Sequence, residues 1–159
     1  MIPPMFCTRR LSGHPALDYV ELGDRAGTPV IALHGVTDSW RSFQPLLPHL
    51  SPKLRLFALS QRGHGNSERP VQGYRPRDFA DDVRRLMDAL GLPRAVIVGH
   101  SMGGVNALRF AIDHPQRVLG LVLAGSVPAF GANAELVDWW RGEIAAFDDP
   151  VARSFARGF

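Results

Sequence analysis

Four short, nearly unbroken apolar runs constrain this fold most: residues 29–33, 54–59, 95–98 and 119–124. A strand with one wet face alternates apolar and polar residues. These runs do not alternate, so each is expected to be a strand covered on both faces. Stretches of helical periodicity lie between them. That alternation predicts an α/β fold, with a mostly parallel sheet and flanking helices. Ahead of the first run, Ser12-Gly13-His14-Pro15 interrupts residues 8–22 and predicts a hairpin.

The helical stretches have readable ends. Trp40, Phe43, Leu47 and Leu50 form a stripe, and Pro45 and Pro48 are expected to split it into two short pieces. Pro76 suits the first turn of a helix burying Phe79, Val83, Leu86 and Leu90, with Gly91 closing it. Residues 102–113 form a third helix, expected to bury Val105, Leu108 and Ile112 and to end before Pro115. After the last run Asn133 can cap a helix carrying Leu136, Trp140, Ile144 and Phe147. Another starts at Asp149-Pro150 and is still running at Phe159. The expected division is therefore a core portion, 1–132, and the start of a separate helical segment, 133–159, in a chain truncated at its C-terminus.

Composition excludes several classes. At 159 residues, 45% hydrophobic and 21% charged, the chain reads as one ordinary globular domain. Its net charge of +3 is scattered, and only Arg9-Arg10 and Arg84-Arg85 are adjacent basic pairs. No nucleic-acid partner is expected from that pattern. The longest apolar stretch, 118–132, is broken by Ser126 and Pro128 and is too short to span a bilayer, so no membrane partner is expected. Cys7 is the single cysteine, which rules out an intramolecular disulfide and a thiolate metal cluster. The first residues carry no signal-peptide pattern. A cytoplasmic protein without metal or cofactor is the expectation.

Chemistry concentrates at Gly99-His100-Ser101-Met102-Gly103-Gly104. This is a G-x-S-x-G pentapeptide directly after an apolar strand and directly before a helix, the context of a nucleophile elbow. So tight a turn admits only small residues two before and two after the serine, and Gly99 and Gly103 supply them. Ser101 would then project at a helix N-terminus, where free N–H groups favour developing negative charge. An oxyanion hole takes one N–H from the residue after the nucleophile, here Met102. The second comes from the loop after the first parallel strand, His34-Gly35-Val36, with Val36 as the expected donor. Arg62-Gly63-His64-Gly65 lacks the third glycine of a dinucleotide loop and reads as a structural turn.

At these residues the chain resembles the N-terminal portion of an α/β-hydrolase, in the group of small serine esterase- and lactonase-like enzymes. His34-Gly35 with Thr37-Asp38-Ser39-Trp40, Gln61 through Ser67, Gly99 through Gly104, and Asp113 through Val118 carry the resemblance, which spans nearly the whole chain. Ser60 departs from the pattern, since many relatives have Asp two residues before the arginine; that position is structural in the family. The resemblance implies a mostly parallel α/β-hydrolase sheet whose last strands and most of whose lid are missing, with 133–159 beginning that lid. It implies Ser101 as the catalytic nucleophile, Val36 and Met102 as oxyanion donors, and Gly99, Gly103, His34 and Gly35 as elbow and loop structure.

The triad order of the family is serine, acid, histidine. His34 precedes Ser101 and is expected to organise its loop instead. The only later histidine, His114, lies thirteen positions down the helix that Ser101 opens. At 1.5 Å per residue it is roughly 20 Å away, far beyond the reach of a general base. His100 flanks the serine, but in so sharp a turn its side chain should diverge. Glu135 and Asp138 are candidate acids, although neither stands at the end of its strand. The base and the more favoured acid are expected after residue 159, following two further strands. Serine at the elbow argues against dehalogenase or epoxide-hydrolase chemistry, which needs a carboxylate. A small ester, lactone or thioester is the expected substrate, while perhydrolysis and C–C cleavage use the same residues. The alternative is a non-catalytic ligand-binding or interaction protein on this fold. Unpaired strands at the truncated edge are expected to favour self-association.

Overall fold

A computed structural model describes residues 7–127 and 134–139. The chain divides into two compact units, Met1–Ser126 and Val127–Phe159. In the first, strands β1 (Thr8–Leu11), β2 (Leu17–Gly23), β3 (Thr28–Leu33), β4 (Leu54–Leu59), β5 (Ala95–His100) and β6 (Val118–Ala124) form one sheet in the order β1-β2-β4-β3-β5-β6. The hairpin pairs antiparallel, β2 joins β4 antiparallel, and β4, β3, β5 and β6 run parallel. Helix α1 spans Pro76–Ala89 and α2 spans Met102–Asp113. In the second unit, helix α3 spans Ala134–Trp139. Phe147 and Trp140 lie outside the described residues, and so does the helix expected from residue 149.

The apolar runs are explained by two covered faces. Ile31, Leu33, Phe57, Leu59, Ala95 and Ile97 pack with α1 and α2 residues such as Val83, Leu86 and Phe110. Their strand neighbours Val30, Ala32, Leu56 and Ala58 point the other way, against Trp40, Phe43 and Leu47. Strand periodicity of two makes each run serve both layers. Helix α1 ends as its sequence indicates. Gly91 takes φ +64°, Gly91 N–H donates to Asp88 O at 3.1 Å, and Leu92 N–H to Met87 O at 2.8 Å. Those two bonds are a Schellman closure.

Two local expectations are corrected. Trp40–His49 is one continuous 3-10 stretch rather than two pieces. With three residues per turn, Pro45 and Pro48 fall on the same side, and both are exposed. Their missing N–H groups therefore leave the packed side, Trp40, Phe43 and Leu47, intact. Helix α2 is also rotated from the expected face. It buries Gly103, Gly104, Asn106, Ala107 and Phe110, while Val105 and Leu108 are half-buried and Ile112 is exposed. The elbow causes this rotation, because its first turn must press Gly103 and Gly104 onto the strands.

Candidate active site

The strand order reverses at β3, whose successor β4 lies on one side and β5 on the other. Loops leaving β3 and β5 at their C-terminal ends therefore flank one crevice, the place where open α/β sheets bind ligands.

The β5–α2 turn is strained. Ser101 has φ 51°, ψ −118°, and with Thr37 it is one of two non-glycine residues with positive φ among the described residues. The backbone is held from both sides: Ser101 N–H donates to Ala124 O at 3.0 Å, and Ser101 O accepts from Gly104 N–H at 2.9 Å and Ser126 Oγ–H at 3.0 Å. Space explains the glycines. A Cβ at Gly99 would lie 2.5 Å from Gly104 Cα, and one at Gly103 would lie 2.6 Å from His34 O and closer still to Leu33 O. Strand, helix and the β3 loop meet at van der Waals limits around the serine.

The β3 loop lies against the elbow. A Cβ on Gly35 would sit 3.4 Å from Ser101 Cβ and 3.1 Å from His100 Nδ1. Thr37 is held at φ 64°, with its hydroxyl donating to Val36 O at 2.6 Å. A β-branched residue in that region is an outlier, and such outliers collect at functional turns. His34 is fully buried, with Nδ1 2.7 Å from Gly35 O and Nε2 accepting Gln61 N–H at 3.0 Å. Burial pushes its pKa from 6.5 down to about 3, against the bond to Gly35 O. It is a neutral loop organiser with no nitrogen left for proton transfer.

The other histidines take separate places. His64 stacks edge-on to His34 with centroids 5.0 Å apart, and its Nδ1–H donates to Arg62 O at 2.9 Å. Burial lowers its pKa. His100 is exposed, with its ring between Gly35 and Gly125. His114 caps the far end of α2, its ring 5.1 Å from that of Phe110. Glu135 and Asp138 are exposed on α3, in the second unit.

The turn read as structural is anchored by ions. Arg62 makes a bidentate pair with Asp82 at 2.7 and 2.8 Å and donates to Gly73 O at 2.6 Å. Burial works against the Arg62 charge, but the Asp82 carboxylate outweighs it and raises the Arg62 pKa. Ser60 accepts from Trp40 N–H at 3.3 Å, and its carbonyl accepts from Ser67 Oγ–H at 2.6 Å. Sequence reading placed Gln61 in the turn motif without giving its side chain a role, and it missed Asn106. Gln61 Nε2 donates to His34 O, and Asn106 Nδ2 donates to Gln61 Oε1, each at 2.8 Å. The available signal was an amide among the small residues of α2's first turns. Among the described residues no group of three or more His, Cys, Asp or Glu side chains could hold a metal ion, and no helix is long and apolar enough to cross a membrane.

Comparison with known proteins agrees with this architecture. The family model for the alpha/beta hydrolase fold matches residues 28–156. The chain is 36% identical over 130 residues to the 2-(acetamidomethylene)succinate hydrolase of Mesorhizobium japonicum, covering 81% of this chain and 46% of that protein. It is 35% identical over 112 residues to a soluble epoxide hydrolase of a Corynebacterium species, covering 70% and 38%. A crystal structure of a hydrolase from Pseudomonas aeruginosa superposes with a TM-score of 0.78 at 28% identity, over 87% of this chain and 52% of that one. The chain belongs to the α/β-hydrolase fold family, and its relatives are hydrolases. It spans less than half the length of either curated relative.

Proposed function

We propose that this protein is a serine hydrolase acting by acyl transfer on a small carboxylic ester, lactone or thioester. The observation that carries this is Ser101 held at φ 51° in a strand–helix turn at the switch point of the sheet. A general base takes the Oγ proton as Oγ attacks the substrate carbonyl. The carbonyl electrons move to oxygen, and the N–H groups of Val36 and Met102 receive that oxyanion. The intermediate collapses, the leaving group departs with the proton, and water then releases the acyl group from Ser101 by the same route in reverse. Epoxide opening, the activity in one relative's name, calls for a carboxylate nucleophile; here the nucleophile is a hydroxyl. This favours the succinate hydrolase over the epoxide hydrolase as a guide.

His34 has both nitrogens engaged and His114 stands at the far end of α2. We propose that the base and its orienting acid lie in the part of such a hydrolase that this chain does not span, a reading supported by the greater length of the relatives. The same observation favours a second reading, a non-catalytic binding protein on this fold. The gene sequence past codon 159 separates the two: an in-frame Asp…His continuation supports the enzyme, a stop codon the binding protein. The direct test is turnover of p-nitrophenyl acetate by the full-length protein. Ser101→Ala should reduce kcat by about 10⁴-fold or more, whereas equal turnover by both proteins would exclude acyl transfer through Ser101.

A further inference from the structure

The amide relay behind the β3 loop has a direction set by chemistry. A backbone N–H only donates, so Gln61 N–H requires a bare Nε2 on His34. A carbonyl only accepts, so Gly35 O requires the proton on Nδ1. The ring is thus fixed as one neutral tautomer. The Gly35–Val36 peptide is trans, since His14–Pro15 is the one cis bond among the described residues. In a trans peptide the N–H points opposite to the C=O. Holding Gly35 O on the His34 ring therefore fixes where the Val36 N–H points.

Gln61 grips His34 twice, through its backbone N–H to the ring and through Nε2 to the His34 carbonyl. Because Nε2 must face that carbonyl, Oε1 faces α2, and Asn106 must present its NH₂ to it. His34, Gln61 and Asn106 are 0, 2 and 2% exposed, so no bulk water can substitute for a lost partner. Asn106 lies five residues after Ser101 on the helix that the serine opens. The relay thus ties the elbow helix, the β4 loop and the β3 loop into one register.

Taking acyl transfer through Ser101 as the reaction, we propose that Gln61 and Asn106 are positioning residues: their side chains hold the Gln61 backbone N–H seated on His34 Nε2, which keeps the Nδ1–H tautomer and so aims the Val36 N–H at the oxyanion. Asn106→Asp keeps the size of the side chain but, as a carboxylate, cannot donate. A carboxylate then faces Gln61 Oε1, or Gln61 flips and sets Oε1 against His34 O. Either arrangement disturbs the grip on His34.

The test uses the full-length protein with ¹⁵N-labelled histidine. In Asn106→Asp, and likewise in Gln61→Glu, kcat for p-nitrophenyl acetate should fall about 10- to 100-fold, with KM within about twofold, because a donor is misaimed rather than substrate contacts removed. The His34 ring nitrogens should at the same time lose their single Nδ1–H signature. Should both charged variants fail to fold, Asn106→Ala leaves Gln61 Oε1 without its donor and is read in the same two ways. A purely structural role would lower the melting temperature while leaving kcat and the His34 signature of the folded protein unchanged, and that result overturns the proposal. Turnover that survives Ser101→Ala overturns the acyl-transfer reading and the proposal with it. That failure is distinguishable, because the His34 signature would still respond to Asn106→Asp.

Discussion

Ser101 stores backbone strain at a half-buried side chain. Its φ of 51° and ψ of −118° suit glycine better than any L residue. Ser101→Gly should therefore stabilise the fold by about 1 kcal/mol while removing the nucleophile, the usual trade between stability and activity. A thermal melt of the two proteins checks this, and an unchanged or lower melting temperature for the glycine variant would deny the strain. His34 predicts a pH effect of definite sign. Its pKa is near 6.5 when unfolded and about 3 when folded. Between those values the unfolded chain holds a proton that the folded chain refuses, so stability is complete above pH 6.5 and declines as pH falls toward 3. The decline is on the order of 5 kcal/mol at most. His64, lowered in the same direction, adds to it. Urea midpoints measured at pH 7 and pH 4.5 should show the loss. An NMR titration of His34 with a midpoint near 6.5 would contradict it.

At the scale of elements, the elbow works because α2 touches β3 and β5 through glycine. A side chain at Gly103 would meet the Leu33 and His34 carbonyls, which cannot move without breaking the sheet, whereas one at Gly104 would meet the Ser126 side chain first, with the Gly99 carbonyl 3.3 Å away. Gly103→Ala should thus cost about 2–3 kcal/mol and Gly104→Ala clearly less, as measured by denaturant unfolding. Equal losses would mean the helix shifts freely. The strands, the hairpin, the α1 boundaries and the elbow were legible in the sequence because each follows from local pattern or turn chemistry. The buried face of α2 was not. Its aliphatic residues Val105, Leu108 and Ile112 outweigh the small ones on pattern, but close approach at the elbow, a tertiary demand, turns Gly103, Ala107 and Phe110 inward. Nor was the amide relay legible, because Gln61 and Asn106 are 45 residues apart and only the fold brings them together. The positive φ of Thr37 left no sequence signal at all, since threonine is not a residue that such a position favours.

For the whole molecule, the switch point at β3 gathers the reactive loops, and among the described residues β6 is the last strand on its side of the sheet. Strand β6 has seven residues, and its Leu119, Val122 and Leu123 are 46, 49 and 45% exposed. Long apolar edges template pairing with other strands. The 159-residue chain should therefore associate with itself as concentration rises, and Val122→Lys should weaken that association in sedimentation velocity experiments. A concentration-independent monomer would contradict the expectation. The claim that most needs testing is that Ser101 itself forms the covalent intermediate. Treating the full-length protein with a fluorophosphonate and mapping the adduct by peptide mass spectrometry tests it directly. The predicted result is a single phosphonylated residue, Ser101, appearing in step with loss of esterase turnover. Turnover abolished with the adduct on another residue, or turnover persisting with Ser101 fully modified, would contradict it.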